Sequence, residues 1–184
     1  MTDQQARPAF IHPTALVYGR VDIGPQSSLW PYSVIRAERN AVRIGRCSNI
    51  QDFVMIHVGY DHGVTIGDHC SVTHHTTLHG CTIGDRCLIG IGVTIMDGCV
   101  IGENSIVAGH SFLRENTVIP PDSIVMGTPG KVVRTADMSL ANVVNALIYH
   151  RNALAYAADR HRAWESMDLA DVEAEAAALL RGEA

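Results

Sequence analysis

An aliphatic residue falls at every sixth position from Ile83 onward: Ile83, Ile89, Ile95, Ile101, Val107, Leu113, Ile119 and Val125. The same beat runs upstream through Ile11, Val17, Ile23, Leu29 and Ile35. It resumes as Ile44, Ile50 and Ile56, and again as Ile66, Val72 and Leu78. Glycine often follows the aliphatic, as at Gly24, Gly45, Gly67, Gly84, Gly90 and Gly102. Four residues after the aliphatic stands something small, such as Ser27, Ser48, Cys70, Cys87, Cys99 or Ser105. Helices and amphipathic strands have periods of ~3.6 and ~2 residues, so neither produces sixes. A β-solenoid does: each hexad is a short strand plus a corner, and three hexads close a triangular coil. The aliphatic points inward, the small residue fits beneath the corner, and glycine relieves the turn. The pattern predicts a mainly β chain wound as a parallel β-helix of roughly six coils, stacked at ~4.8 Å.

Breaks in the beat locate insertions. Ile35 and Ile44 are nine residues apart, Ile56 and Ile66 ten, and Leu78 and Ile83 only five. Insertions in a solenoid become corner loops, often beside a binding site. These loops are expected at Ala37–Arg43 and at Gly59-Tyr60-Asp61-His62-Gly63. Gly127-Thr128-Pro129-Gly130-Lys131 ends the solenoid, dividing the chain into a β-helix over 1–134 and a helical segment over 135–184. Asp137 is positioned to cap a helix with apolar positions Leu140, Val143, Val144, Leu147, Ile148 and Leu154. Asp168 starts a second, Ala-rich helix reaching about Leu180. The first helix should lie against the prism or a neighbouring subunit.

Composition then narrows the classes. Aromatic residues make up only 5% of the 184, which stacked aliphatic columns explain. A net charge of −5 without Lys/Arg clusters argues against nucleic acid, and no apolar run reaches the ~20 residues of a membrane span. Met1-Thr2-Asp3-Gln4-Gln5 carries no secretory n-region, and five scattered cysteines make no disulfide framework. A reducing cytoplasm is the expected compartment. Cys70, Cys87 and Cys99 read as small inward residues, and Trp30 and Tyr32 as corner residues covering an interface.

Six of the ten histidines lie between residues 57 and 79. Hexads beginning at 44, 50 and 56 supply the first, second and third faces of one coil; those at 66, 72 and 78 supply the next. His57 and His79 are then stacked one strand spacing apart, with Arg36 one coil below. His74 stands over Asp52 on another face. Two stacked imidazoles suit one metal ion, and a cyclic trimer of prisms brings His74 of the next subunit to it. Three neutral imidazoles and an open position make a catalytic zinc pattern, giving hydroxide at neutral pH; iron(II) or cobalt would also accept imidazoles. The competing reading is a set of surface histidines on exposed corners. His62, His69, His75 and His110 have no column partner among the histidines and read as solvent-facing or supporting residues, and Cys81 beside His79 is an alternative soft ligand.

Arg36-Ala37-Glu38, Asn49-Ile50-Gln51-Asp52 with His57, and His74 with His79-Gly80-Cys81 resemble the gamma-class carbonic anhydrase family. Met96-Asp97-Gly98 and Gly127-Thr128-Pro129 resemble its bacterial branch, and the likeness spans about residues 10 to 160. The resemblance implies a left-handed β-helix homotrimer that hydrates CO2 to bicarbonate, its metal held by residues matching His57, His74 and His79. It implies an interface pair at Arg36 and Glu38, where Asp is more usual. Gln51 matches a residue that orients the hydroxide, Asp52 one in the interface network with Asn49 nearby, and Tyr149 a helix tyrosine approaching the site. Ala37 and Thr73 stand where glycines are usual. Arg39 stands where archaeal members carry a glutamate, which leaves His62 or Tyr149 as the candidate proton shuttle. Two other readings stay open: an acyl-CoA-dependent acyltransferase, common among hexapeptide-repeat proteins, and a metal-bearing member with little activity.

Overall fold

The computed structural model describes residues 7–183, so the Met1–Gln5 stretch lies outside the described residues. The chain forms the expected left-handed parallel β-helix followed by two helices, α1 (Ser139–Ala157) and α2 (Leu169–Leu180). On the second face, strands Phe10–Ile11, Ser28–Leu29, Asn49–Ile50, Ser71–Val72, Leu88–Ile89, Ile106–Val107 and Ser123–Gly127 stack in parallel. Ile50 pairs with Val72, Ile56 with Leu78 and Ile44 with Ile66, which is the register that counting in sixes gives. From Leu29 to Val125 the beat aliphatics are buried, and they form one continuous core. Ile11 and Val17 are the exception, 46% and 40% exposed. They belong to the first coil, which among the described residues has a stacked neighbour on one side only.

Two details of the corner differ from expectation. The turn is made three residues after the aliphatic, where Gln26 (φ 65°), Phe53 (φ 60°), His75 (φ 59°) and Asp122 (φ 58°) are all left-handed. Non-glycine residues tolerate that region at a cost of about 1–2 kcal/mol each. The glycine after the aliphatic serves close approach instead. A Cβ on Gly24 would lie 2.6 Å from the carbonyl carbon of Gly45, and one on Gly45 would lie 2.6 Å from that of Gly67. The small residue then reaches the approaching carbonyl. Ser27 Oγ donates to Gly45 O at 2.6 Å, Ser48 Oγ to Gly67 O at 2.7 Å and Cys70 Sγ to Gly84 O at 3.1 Å.

The Ala37–Arg43 insertion is not a loop. It forms the middle of an eleven-residue strand, Val34–Ile44, that crosses from the third face to the first and joins them in one sheet. Leu16–Ile23 pairs along its length, so the extra residues are held as a two-stranded ribbon. The Gly59–Gly63 insertion is a loop, pinned to that ribbon by Asn40 Nδ2, which donates to Gly59 O and Tyr60 O at 2.9 and 3.1 Å. Past Gly127 the chain doubles back as Gly130–Thr135, antiparallel to Ser123–Gly127, and so covers an exposed sheet edge.

Helix α1 lies on the second face. Val143 and Leu147 bury against Cys47, and Val172 and Ala176 of α2 complete that cluster. Leu140 and Leu154 stay half exposed. Met138, not Asp137, is the N-cap residue and makes no side-chain cap bond, although Asp137 Oδ1 does accept the Ser139 N–H at 2.9 Å. Asp168 caps α2 as expected, accepting the Ala170 N–H at 2.9 Å. Ser71 Oγ donates to Asn145 Oδ1 at 2.8 Å, and the His150 ring N–H donates to Gln26 O at 3.0 Å, tying α1 to the prism. Trp30 is not interface cover: it is 4% exposed beneath α1, packed edge-on against Tyr149 and Tyr156. Tyr32 does stand free at 56% exposure, stacked on Phe53, which stacks on His75. Among the described residues no helix is long and apolar enough to cross a membrane.

The aliphatic columns should carry the stability. Ile89, fully buried on the second face, should cost about 2–5 kcal/mol on truncation to Ala, read as a lowered denaturation midpoint. A loss below about 1 kcal/mol would mean that the column is not the core.

Candidate metal centre

Coil stacking sets the positions of three predicted residues before any side-chain contact is considered. Arg36 pairs with His57 and His57 with His79 along the third face, one above another. His57 Nδ1 faces His79 Nε2 at 3.1 Å. The outer nitrogens meet carboxylates: Glu38 Oε2 lies 3.1 Å from His57 Nε2, and Asp97 Oδ2 lies 2.6 Å from His79 Nδ1. Glu38 also holds Arg36 through Oε1 at 2.7 Å, joining the expected interface pair to the histidines. The Glu38 carboxyl is held below the usual carboxylate range, first by a backbone hydrogen bond and then by the charge of Arg36.

An ionised carboxylate only accepts, so the ring nitrogen facing it carries the proton. That places N–H on His57 Nε2 and His79 Nδ1 and leaves two lone pairs facing each other across 3.1 Å. Such a pair is bridged by a cation, either a shared proton or a metal ion. Two nitrogens on one tetrahedral zinc, with bonds of ~2.0–2.1 Å, stand roughly 3.3 Å apart. The donor chemistry of this chain therefore fits the implied metal.

His74 lies on the second face, and its Nδ1 is 3.1 Å from Asp52 Oδ2, the residue one coil below. All three predicted imidazoles thus have a carboxylate on one ring nitrogen, the arrangement that orients metal-binding histidines. His74 and Asp52 line a cavity of about 510 Å³ with Tyr149, Trp30, Tyr156 and Trp164. The Tyr149 hydroxyl is pushed above its ordinary pKa by burial, with a contribution from the Asp52 charge. Among the described residues no group of three His, Cys, Asp or Glu side chains is assembled to hold a metal within one chain.

Gln51 is 1% exposed. Its Nε2 donates to Asn49 Oδ1 at 2.9 Å, and Asn49 Nδ2 donates to Ser71 Oγ at 2.9 Å. Gln51 Oε1 is buried with no hydrogen-bond donor among the described residues. His62 falls in a different cavity, of about 570 Å³, lined by Arg20, Asn40, Arg43 and Thr65 and bordered by Gly80. Asp97 was not anticipated as a site residue. It sits one position beyond Met96, which the count places over His79, so a search for stacked histidines passes it by. The available signal was a pair of glycines beneath it: a Cβ on Gly59 or Gly80 would come within 1.7 or 2.3 Å of Asp97 Oδ1.

The family model described as "Bacterial transferase hexapeptide (six repeats)" matches residues 80–115. The chain is 48% identical over 120 residues to a protein of Methanocaldococcus jannaschii named "Probable carbonic anhydrase", an alignment covering 65% of this chain and 76% of that one. It is 41% identical over 133 residues to the "Carbonic anhydrase" of Geobacillus kaustophilus, covering 72% of this chain and 73% of that one. A solved hexapeptide transferase family protein from Anaplasma phagocytophilum superimposes with a TM-score of 0.72 at 28% identity, covering 80% of this chain and 92% of that one.

The cysteines stay out of the site. Cys81 is buried, and burial pushes its thiol well above the ordinary range, which disfavours the thiolate that a metal ligand needs. Burial likewise pushes Cys47 up to about 12. All five cysteines are free and buried. A thiol reagent added to native protein at neutral pH should therefore find no reactive group, and all five should react after unfolding. Fast labelling of one thiol in the native protein would show that a cysteine is accessible.

Proposed function

The chain belongs to the gamma carbonic anhydrase-like hexapeptide-repeat family, and on that premise we propose that it is a metal-dependent hydratase. It interconverts CO2 and bicarbonate at sites shared between the subunits of a homotrimer. The observation that carries this reading is the facing His57 and His79 nitrogens, each ring anchored by a carboxylate on its far side. His57 and His79 of one subunit, with His74 of the next, would hold the metal, zinc before iron(II) or cobalt. Zinc so held would supply Lewis acidity that lowers the pKa of water to ~7, the chemistry that CO2 hydration needs.

The chain's own residues do the rest. Glu38 and Asp52 fix which nitrogen His57 and His74 present. Arg36 and Glu38 pair at the edge where the neighbouring subunit is proposed to sit. Gln51 Oε1, buried and short of a donor, accepts a hydrogen bond from an O–H in the site, and its amide is held in orientation by Asn49. Tyr149 closes the cavity beside His74 with an un-ionised hydroxyl. Five buried free thiols suit a reducing compartment such as the cytoplasm.

A second reading, an acyl-CoA-dependent transferase, draws on the family model's description and on the Anaplasma neighbour. Metal analysis of protein purified without chelator, paired with CO2-hydration and acyl-CoA transfer assays, separates the readings. Stoichiometric metal with hydration supports the first. Metal-free protein that transfers an acyl group overturns it, and stoichiometric metal without hydration leaves a metal-bearing protein of little activity.

Subunit sharing has its own test. His74→Ala and His79→Ala should each lose metal as pure proteins. Co-refolded together, they should recover about one site per mixed trimer, because one interface then joins an intact pair to an intact His74. No recovery would place the whole site within one chain.

His62 is proposed as the group that exports the proton left by hydration. His62→Ala should slow turnover in weak buffer, leave metal content unchanged and regain rate in concentrated buffer. Equal turnover in weak buffer would exclude that role.

A further inference from the structure

We propose that Asp97 is a positioning residue of this centre: it holds His79 in the Nδ1–H tautomer and so presents Nε2 toward the metal. The inference rests on the metal-site reading above. Asp97 Oδ2 takes the His79 Nδ1–H at 2.6 Å, shorter than the 3.1 Å contacts that Glu38 and Asp52 make to their histidines. Its seat is built for it. Gly59 and Gly80 together clear the volume that Oδ1 occupies, since a Cβ on either would collide with that oxygen. Gly80 is further held in a left-handed conformation at φ +53°, where side chains are disfavoured.

The backbone fixes the height of the seat. Gly80 N–H donates to His57 O at 3.0 Å, Gly98 N–H to Gly80 O at 2.8 Å and Asn116 N–H to Asp97 O at 2.8 Å. Asp97 is thus locked one coil above His79 and leans down onto it. Its side chain is also less exposed than that of Glu38, 29% against 51%. A less exposed, space-matched carboxylate holds a tautomer more firmly than a solvated one, because water competes less for the imidazole N–H.

The test uses zinc as the probe and three variants: Asp97→Asn, which fills the same seat without the charge, Asp97→Ala, and His79→Ala. Zinc affinity is measured by competition with a colorimetric chelator. The ring tautomer is read in the zinc-free protein from long-range 1H–15N spectra of the imidazoles. The expected result is a loss of zinc affinity of roughly 10–100-fold in both Asp97 variants, with the zinc-free thermal midpoint of Asp97→Asn near that of the parent. His79 should appear as the Nδ1–H form in the parent and as a mixture of tautomers in Asp97→Ala. If both Asp97 variants keep parental affinity while His79→Ala loses it, Asp97 only fills space; the proposal falls and the metal site stands. If His79→Ala also keeps parental affinity, the metal-site reading fails and takes this inference with it.

Discussion

The structure depends on one constraint, the vertical registration of coils. Strand pairing runs along the prism axis, so every residue is placed by the residue one coil below it. The tightest expression is at the corners, where a glycine without a Cβ lets the next coil's backbone approach and a serine or cysteine donates to the carbonyl that arrives. A bulkier residue at either position would separate two coils and weaken the ladder on all three faces. Branched aliphatics then fill the interior in columns, without aromatic rings. Aromatics collect outside the prism, where Trp30 meets Tyr149 and Tyr156 beneath α1.

Registration also explains why chemistry gathers where the repeat is irregular. The long strand Val34–Ile44 and the Gly59–Gly63 loop both project from the corner between the third and first faces. That corner follows immediately on Arg36, His57 and His79. The extra residues release Glu38 to reach back to Arg36 and His57, and the loop glycine at 59 opens the volume that Asp97 uses.

What was legible in the sequence follows the same division. Columns were readable because the period is sequence arithmetic: Arg36 under His57 under His79, and His74 over Asp52, needed only counting. Properties that depend on side-chain direction or non-periodic docking were not. Asp97 reaches His79 diagonally, from a hexad whose stacked position is Met96. Trp30 is covered by a helix whose resting place no repeat encodes. The Ala37–Arg43 insertion has the length of a loop, and only its partner strand Leu16–Ile23 makes it a ribbon. The left-handed corner position escaped notice because tyrosine, phenylalanine, histidine and aspartate occupy it as well as glycine.

The division of the three histidines between faces has an energetic consequence. Within one chain, the facing nitrogens of His57 and His79 converge on one point while their far nitrogens meet Glu38 and Asp97, so the isolated subunit presents two of the nitrogens that a shared cation would bridge. His74, held by Asp52 beside a cavity lined with Tyr149 and Trp30, presents its second nitrogen from another face. Neither half is a complete ligand set. On the proposed trimer, a cation bound by the pair of one subunit also engages His74 of the other. Metal binding and assembly then stabilise each other by mass action, since each favours the state that the other requires. The carboxylates contribute before either event: they fix the protons away from the metal position, so less imidazole reorganisation remains when the subunits meet.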